Sequence, residues 1–198
     1  MRPLALTLLA SLALLPSAPA LAETRVEPRL LIKERHFFVS AGPTWLERGD
    51  YYDSPGLVAQ ISWYPVEQGG LDLQLAGLFS FLSTSGNEIF RVSGLVADAH
   101  MPKGFVLAGW RQTLAYGKLA VGSSVVHFDL QGALHLGSLI TDRAWTPALS
   151  ASGGVLVRLG ERVFGQLELG VLGNYEARKQ ASNFNVGFLP LLTLGARL

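Results

Sequence analysis

Apolar and polar residues alternate along much of the chain, which is the pattern of a β-strand whose two faces meet different surroundings. The alternation is clearest in residues 71–81, where leucines share one face while Asp72 and Gln74 share the other. Residues 57–64 and 125–138 repeat it. The pattern predicts eight strands, over residues 36–46, 56–65, 71–82, 104–116, 125–138, 148–159, 163–176 and 184–198.

The connections between these strands alternate in length. The tight turns fall at 66–70 and 160–162, and residues 117–124 form an intermediate connection. The longer connections are residues 47–55, 83–103, 139–147 and 177–183, with a short helix possible at 87–97. Short turns at one end and longer loops at the other are typical of outer-membrane barrels. We therefore predict an all-β fold, an eight-stranded antiparallel up-and-down transmembrane β-barrel.

The start of the chain has the features of an export signal. Residues 1–22 combine an early arginine, an apolar run over 4–15 and a small-x-small site at 20–22. The apolar run is short for a membrane span, although a retained anchor helix is the alternative. We therefore predict a signal peptide at 1–22, a periplasmic lead-in at 23–35 and the barrel at 36–198. An even number of strands leaves both barrel ends on the periplasmic side.

Charge and composition narrow the class of protein. Without Arg2, the remaining chain has 15 basic and 15 acidic residues, so it lacks the basic excess of a nucleic-acid binder. There is no cysteine, which excludes disulfides and thiolate metal sites. Lysine is scarce, and the polar strand face holds mostly Ser, Gln, Asn, Thr, His and Gly. A water-facing surface normally carries more Lys and Glu, so the apolar face is predicted to meet lipid.

Aromatic residues near the strand ends support a membrane location. Tryptophan and tyrosine favour the membrane–water interface, and we assign this position to Trp45, Trp63, Tyr64, Trp145 and Tyr175. In the last strand, Phe188, Leu192, Leu194 and Leu198 alternate in the manner of a barrel-assembly signal. The predicted partners are therefore outer-membrane lipids and the barrel-assembly machinery. A soluble, lipocalin-like periplasmic barrel with its apolar face inward remains the alternative.

The inward face collects charge. Eight strands enclose a space so narrow that side chains fill it, and charges there must pair. The predicted polar network of the lumen comprises Asp72, Arg111, His127, Asp129, His135, Arg158, Glu168 and Arg197. Arg111 and Asp129 are a candidate pair within it. The lumen is therefore predicted to be a polar filling rather than a pore, and a ligand or proton-relay site is the sharper alternative.

Catalytic and metal motifs are weak in this sequence. His127 and Asp129 lie two residues apart on one strand face, which could suggest a metal site or an acid–base pair, but no third partner can be assigned. There is no Gly-x-Ser-x-Gly elbow and no Gly-Lys-Ser/Thr phosphate loop. We predict no catalytic residues, no metal and no cofactor. A barrel enzyme that modifies outer-membrane lipid is the alternative function.

Several short segments resemble one family of barrels. They are Tyr116-Gly117-Lys118-Leu119, the run from Val126 to Leu130, Thr146-Pro147-Ala148, and the run from Ser93 to Ala99. These segments resemble the outer-membrane β-barrel domain family common in myxobacteria, some of whose members belong to the machinery of adventurous gliding motility. The resemblance implies a non-catalytic structural or interaction component that scaffolds or couples envelope partners.

Within that resemblance, Tyr116, Gly117 and Lys118 are predicted to form the second periplasmic turn. Gly117 would permit a tight bend, and the stem of Lys118 would reach along the membrane rim. The functional alternative is a docking spot for a periplasmic protein. Residues 83–103 form the longest connection and are the candidate binding loop, because long loops are often functional.

Overall fold

The computed structural model describes residues 32–49, 51–94, 99–121, 124–177 and 182–198. The predicted signal peptide and residues 23–31 of the predicted lead-in lie outside these ranges, as do residues 95–98. The described chain forms the elements β1 (His36–Glu47), β2 (Tyr52–Val66), β3 (Gly69–Leu78), β4 (Phe81–Leu82), α1 (Thr84–Ser93), β5 (Pro102–Val121), β6 (Ser124–Thr141), β7 (Trp145–Arg158), β8 (Val163–Ala177) and β9 (Ser182–Arg197).

The strands close into a ring. Each long strand pairs antiparallel with the next along the chain, in the order β1, β2, β3, β5, β6, β7, β8 and β9, and β9 pairs back with β1. Beyond β3, the two-residue β4 pairs with β2 at the tip of the barrel. These ladders confirm the predicted antiparallel up-and-down barrel of eight strands. We call the end that carries the start of β1 and the end of β9 periplasmic, following the usual orientation of such barrels.

The two faces of the wall are as different as the alternation predicted. On β3, Leu71 and Leu73 are exposed while Asp72 and Gln74 are buried. Exposed apolar side chains recur at alternate positions around the ring and form what we call the apolar belt, which includes Phe37, Val39, Leu57, Ile61, Leu71, Leu73, Leu75, Leu130, Leu134, Leu136, Leu149, Leu167, Leu169, Val171, Val186, Leu192 and Leu194. Among the described residues, no helix has the length and hydropathy needed to cross a membrane.

The lumen is filled in layers. Toward the extracellular end, buried apolar residues form one cluster, comprising Leu46, Val58, Leu78, Phe105, Leu107, Leu139, Ala148, Leu172, Leu189 and Leu191. Phe38, Tyr64, Leu156 and Phe164 form a second, smaller cluster near the periplasmic end. Buried polar side chains make up most of the remaining interior. We call the set around Arg111 the polar layer; besides Arg111 it comprises Gln60, Ser62, Asp72, Gln74, His135, Ser152, Gln166 and Glu168.

One predicted connection is largely strand. The sequence predicts a connection at residues 117–124, but β5 continues to Val121 and β6 begins at Ser124, while residues 122–123 lie outside the described ranges. The reason lies in pairing: Gly117 pairs with Phe128, and that ladder continues to the ends of both strands. The predicted turn at Tyr116, Gly117 and Lys118 is therefore wrong, because all three lie within β5.

This extension takes β5 and β6 beyond their neighbours. The ladder from β3 reaches Gln112 of β5, and the ladder from β7 begins at Phe128 of β6. Residues 114–121 and 124–127 therefore project past the adjoining strands at the periplasmic end. We call these two segments the periplasmic hairpin. Its exposed side chains include Leu114, Leu119 and Val125.

The seam between β1 and β9 is the least regular ladder of the ring. It contains six residue pairs, whereas β1 and β2 share twelve. Pairing to β9 lapses around Pro43, which has no N–H to donate, and Pro190 lies on the facing strand. The Thr44 hydroxyl donates to the Pro190 carbonyl oxygen at 3.0 Å and so links the two strands where the ladder is interrupted.

Candidate functional site

Arg111 lies at the centre of the polar layer. One guanidinium nitrogen is 2.7 Å from an Asp72 carboxylate oxygen, and another is 2.8 Å from a Glu168 oxygen. The Arg111 side chain is 1% exposed, and neither acid exceeds 2%. Because the three residues stand on β3, β5 and β8, the cation joins facing walls of the barrel across the lumen.

Polar groups saturate the Asp72 carboxylate further. Gln60 donates to it through its side-chain amide at 2.9 Å, and Ser62 donates through its hydroxyl. His135 approaches the same carboxylate through Nε2 at 2.8 Å. A buried charge is tolerated only when it is both paired and hydrogen-bonded, and Asp72 meets both conditions.

Glu168 is held in the same way from its own side of the lumen. Gln166 donates its side-chain amide to Glu168 at 2.8 Å, and the Ser152 hydroxyl donates to the other oxygen. Gln74 donates to Glu168 at 3.4 Å and so links the two carboxylates. The glutamines and serines of the polar layer were not among the predicted site residues. Their positions on the inward face of alternating strands could have indicated them, but the predicted network included only charged side chains and histidines.

Ser150, His135 and Asp72 line up in the order of a hydrolytic triad. The Ser150 hydroxyl lies 3.5 Å from His135 Nδ1, and His135 Nε2 lies 2.8 Å from Asp72. All three side chains are buried, and Asp72 also carries the contact with Arg111. A nucleophile needs space beside it for a reacting carbonyl and its oxyanion donors. The Ser150 hydroxyl faces a packed interior, so little space remains beside it for a reacting carbonyl.

Asp129 pairs with a residue that the prediction placed in the lead-in. The Lys33 ammonium lies 2.6 Å from the Asp129 carboxylate and donates to the Thr113 hydroxyl at 2.8 Å. The same nitrogen stands 5.4 Å from the centroid of the Tyr64 ring. The candidate pairing of Arg111 with Asp129 is therefore wrong, and Lys33 takes that place. Its position outside the predicted strands gave no indication that it turns inward.

The other predicted members of the network lie near the periplasmic rim. His127 stacks on Tyr116, with its Nδ1 hydrogen-bonded to the phenol oxygen. Arg158 donates to the carbonyl of Gly160 at 2.7 Å, and Arg197 donates to the carbonyl of residue 32 at 3.2 Å. The structure thus brings Asp72, Arg111, His135 and Glu168 together and leaves His127, Asp129, Arg158 and Arg197 outside that cluster.

A second buried ion pair lies toward the extracellular end, and its residues were not among the predicted site residues. A guanidinium nitrogen of Arg48 contacts the Glu176 carboxylate, and another donates to the His100 carbonyl oxygen at 2.6 Å. Asn174 donates to the same Glu176 oxygen at 3.2 Å. Arg48 follows β1 directly, within the predicted connection 47–55, so nothing in the local sequence indicated that it points inward.

Four of the five predicted interface aromatics are exposed on the outer wall, namely Trp45, Trp63, Trp145 and Tyr175. Tyr64 is the exception. It is 1% exposed, and its ring lies 5.2 Å from that of Phe38 inside the lumen. Neighbouring residues on a strand face opposite ways, so Trp63 and Tyr64 cannot both point outward. Trp110, which was not assigned, is exposed on the outer wall.

In the described part of the chain, no group of three or more His, Asp or Glu side chains is arranged to hold a metal ion. His127 and Asp129, the candidate metal or acid–base pair, are directed to different partners, Tyr116 and Lys33. Two donors that are already engaged elsewhere do not make a coordination site.

Comparison with known proteins yields structural likeness only. No protein-family model matches the chain, and no curated protein does. A designed transmembrane β-barrel is 13% identical over 84% of this chain and 98% of its own, with a TM-score of 0.41. Ail, the attachment invasion locus protein of Yersinia pestis, is 12% identical over 83% and 99%, with a TM-score of 0.43. Neisserial surface protein A is 12% identical over 82% and 96%, with a TM-score of 0.40. The chain's own ladders show a closed, antiparallel up-and-down barrel of eight strands.

Proposed function

We propose that the protein is a closed, non-catalytic outer-membrane barrel that serves as a structural or interaction component of the cell envelope. The observation that carries this proposal is the polar layer. Arg111 and its two carboxylates have almost no exposed surface, and apolar clusters lie toward both ends of the lumen. A diffusion channel needs a continuous column of water, and this filling leaves no room for one at the level of Arg111.

The apolar belt supports outer-membrane lipid as the partner of the wall. A ring whose backbone groups are paired strand to strand is the β-structure that a bilayer tolerates. A lipocalin-like barrel would direct its larger apolar surface inward around a ligand, whereas here the outer positions are apolar and the interior is packed. These features favour the membrane barrel over a soluble ligand-binding barrel.

The burial of the candidate catalytic groups speaks against a lipid-modifying enzyme. Such an enzyme must present its nucleophile and base to a substrate that arrives from the membrane or its surface. Ser150 and His135 are buried in the lumen, and His127 is engaged with Tyr116 at the rim. We therefore assign the polar layer to bracing the barrel.

The periplasmic hairpin supports an interaction role. It extends beyond the strands on either side and exposes apolar side chains at Leu114, Leu119 and Val125. A scaffold that couples envelope partners needs surface outside the bilayer of this kind. Membership of a gliding-motility complex follows from the sequence resemblance alone and stays a prediction.

Planar-bilayer recording tests the closed lumen. Refolded protein that shows heat-modifiable gel mobility should give no steady conductance, while a general porin incorporated under the same conditions should conduct. A steady unitary conductance that scales with the amount of folded barrel would overturn the proposal.

To test the interaction role in cells, a photo-crosslinking residue at Leu119 should give a discrete protein adduct, and one at Leu134 on the belt should not. Identical patterns from the two positions would count against it.

A further inference from the structure

The helix of the longest connection leaves its apolar side chains uncovered. Within α1 only Gly86 is buried, while Ile89, Phe90 and Val92 are exposed, Val92 to 78%. An isolated helix of fewer than about 12–15 residues is marginal in water, and α1 has ten. A helix this short that exposes apolar residues needs an apolar surface beside it to stay formed.

The apolar residues of α1 share one side. At about 100° per residue, Ile89 and Val92 lie within one quadrant together with Ser85, and Phe90 lies about 100° beyond Ile89, so the three apolar side chains span an arc of about 160°. Arg91 and Glu88 lie in the remaining arc, with Glu88 about 40° from Val92, so the apolar side of the helix and its charged side meet at Glu88. Because those two charges are opposite in sign, the helix has no net charge with which to select a charged partner.

Hydrogen bonds fix α1 to the tip of the barrel. The helix begins at the cap Ser83, whose hydroxyl accepts from the Gly86 N–H at 3.2 Å and whose own N–H donates to the Tyr51 carbonyl at 2.8 Å. The Asn87 side-chain amide donates to the Leu82 carbonyl at 3.0 Å. A Cβ at Gly86 would stand 2.8 Å from the Tyr51 carbonyl oxygen, so this glycine lets the helix lie against the tip.

Exposed apolar residues continue along the chain from the wall of the barrel toward this helix. Phe79 follows β3 directly and is 69% exposed, and Phe81 of β4 is exposed as well. β3 itself carries Leu71, Leu73 and Leu75 of the apolar belt. Along the chain, an exposed aromatic pair thus lies between the apolar belt and the helix. In a loop that simply entered water, these phenylalanines would be costly.

We propose that α1 lies at the surface of the outer leaflet, with Ile89 and Val92 among the acyl chains and Arg91 and Glu88 toward the headgroups. Amphipathic helices bind membranes in this way, with the apolar face at the boundary between headgroups and chains. The continuity from the belt through Phe79 favours lipid over a second protein as the occupant. The longest connection would then be a second membrane contact rather than a free binding loop. This inference does not depend on the proposed function of the lumen.

The absence of cysteine from the chain allows a direct test. Single variants Val92→Cys and Arg91→Cys, each labelled with an environment-sensitive fluorophore, report on adjacent positions of one helix. Leu134→Cys on the apolar belt supplies the reference for a lipid-facing site. The full-length barrel is refolded into dioleoylphosphatidylcholine vesicles with and without lipids brominated near the carbonyl end of the acyl chains. Heat-modifiable mobility verifies that each labelled variant has folded.

We expect bromolipid to quench the Val92 label at least half as strongly as the Leu134 label, and the Arg91 label several-fold less. Iodide in the aqueous phase should show the reverse order for Val92 and Arg91. Equal iodide quenching at both helix positions, with no bromolipid quenching at Val92, would overturn the proposal. A blue-shifted Val92 label that ignores bromolipid but depends on the protein-to-lipid ratio would overturn it in favour of a second copy of the chain.

Discussion

Replacing Arg111 by methionine tests whether the polar layer braces the barrel. The change keeps a long side chain in the lumen but leaves Asp72 and Glu168 buried without their cation. Removing one partner of a buried ion pair costs about 3–5 kcal/mol. Two carboxylates lose their partner here, while the donors Ser62 and Gln166 remain, so we expect a loss of about 4–5 kcal/mol. That is a large share of the roughly 5–15 kcal/mol by which folded domains are stable.

Two controls accompany this variant. The triple variant Arg111→Met, Asp72→Asn, Glu168→Gln carries no uncompensated charge and should regain most of the loss, since neutral replacement of a buried ionic cluster is often tolerated. Arg143→Met removes an exposed partner of Asp142 at 4.0 Å and should cost about 0–1 kcal/mol. Unfolding by guanidinium in lipid vesicles, followed by tryptophan fluorescence and gel mobility, gives the three values. A loss below about 1 kcal/mol for Arg111→Met, or a triple variant no more stable than the single one, would refute the reasoning.

Two more substitutions probe the rim and the wall by the same unfolding measurement. Lys33→Met and Asp129→Asn remove the two halves of one contact, so their effects should be non-additive by about 1 kcal/mol or more, and simple additivity would mean that the pair contributes nothing. Leu134→Arg on the apolar belt should cost about 2–4 kcal/mol, as expected for a cation facing lipid near the midplane, whereas Leu119→Arg on the periplasmic hairpin should cost less than about 1 kcal/mol. Equal costs would mean that the hairpin has been placed on the wrong side of the membrane boundary.

The ring of strands was predictable because alternation is a local property. Each residue of β3 faces outward or inward according to its position on the strand. The directions of the leucines and of Asp72 could therefore be predicted without knowing their partners. Which side chains pair within the lumen is not a local property. Arg111 and Glu168 meet across the barrel, and that meeting depends on strand stagger, which no short segment contains. The inward charges could therefore be predicted, but their partners could not.

At Gly117 the local sequence predicted a turn, but pairing with a neighbouring strand determined the structure. A glycine beside a tyrosine and a lysine suggested a bend, but it lies in a ladder opposite Phe128. A Cβ at this position would come within 2.3 Å of the Phe128 ring, so the glycine makes room for an aromatic side chain on the neighbouring strand. The residue that explains Gly117 is eleven positions away in sequence.

The irregular seam between β1 and β9 has a consequence for the order of assembly. It joins the two strands of the ring that are farthest apart in sequence, and pairing across the longest intervening chain carries the greatest entropic cost. With six residue pairs interrupted near Pro43, it is also the ladder with the least to gain from early pairing. We therefore expect the growing sheet to curl before it closes. The contacts from Arg111 to Asp72 and Glu168 join β3 and β5 to β8 without involving either seam strand, so they can draw the open edges toward each other. The buried charges would then act as a template for curvature while the barrel forms.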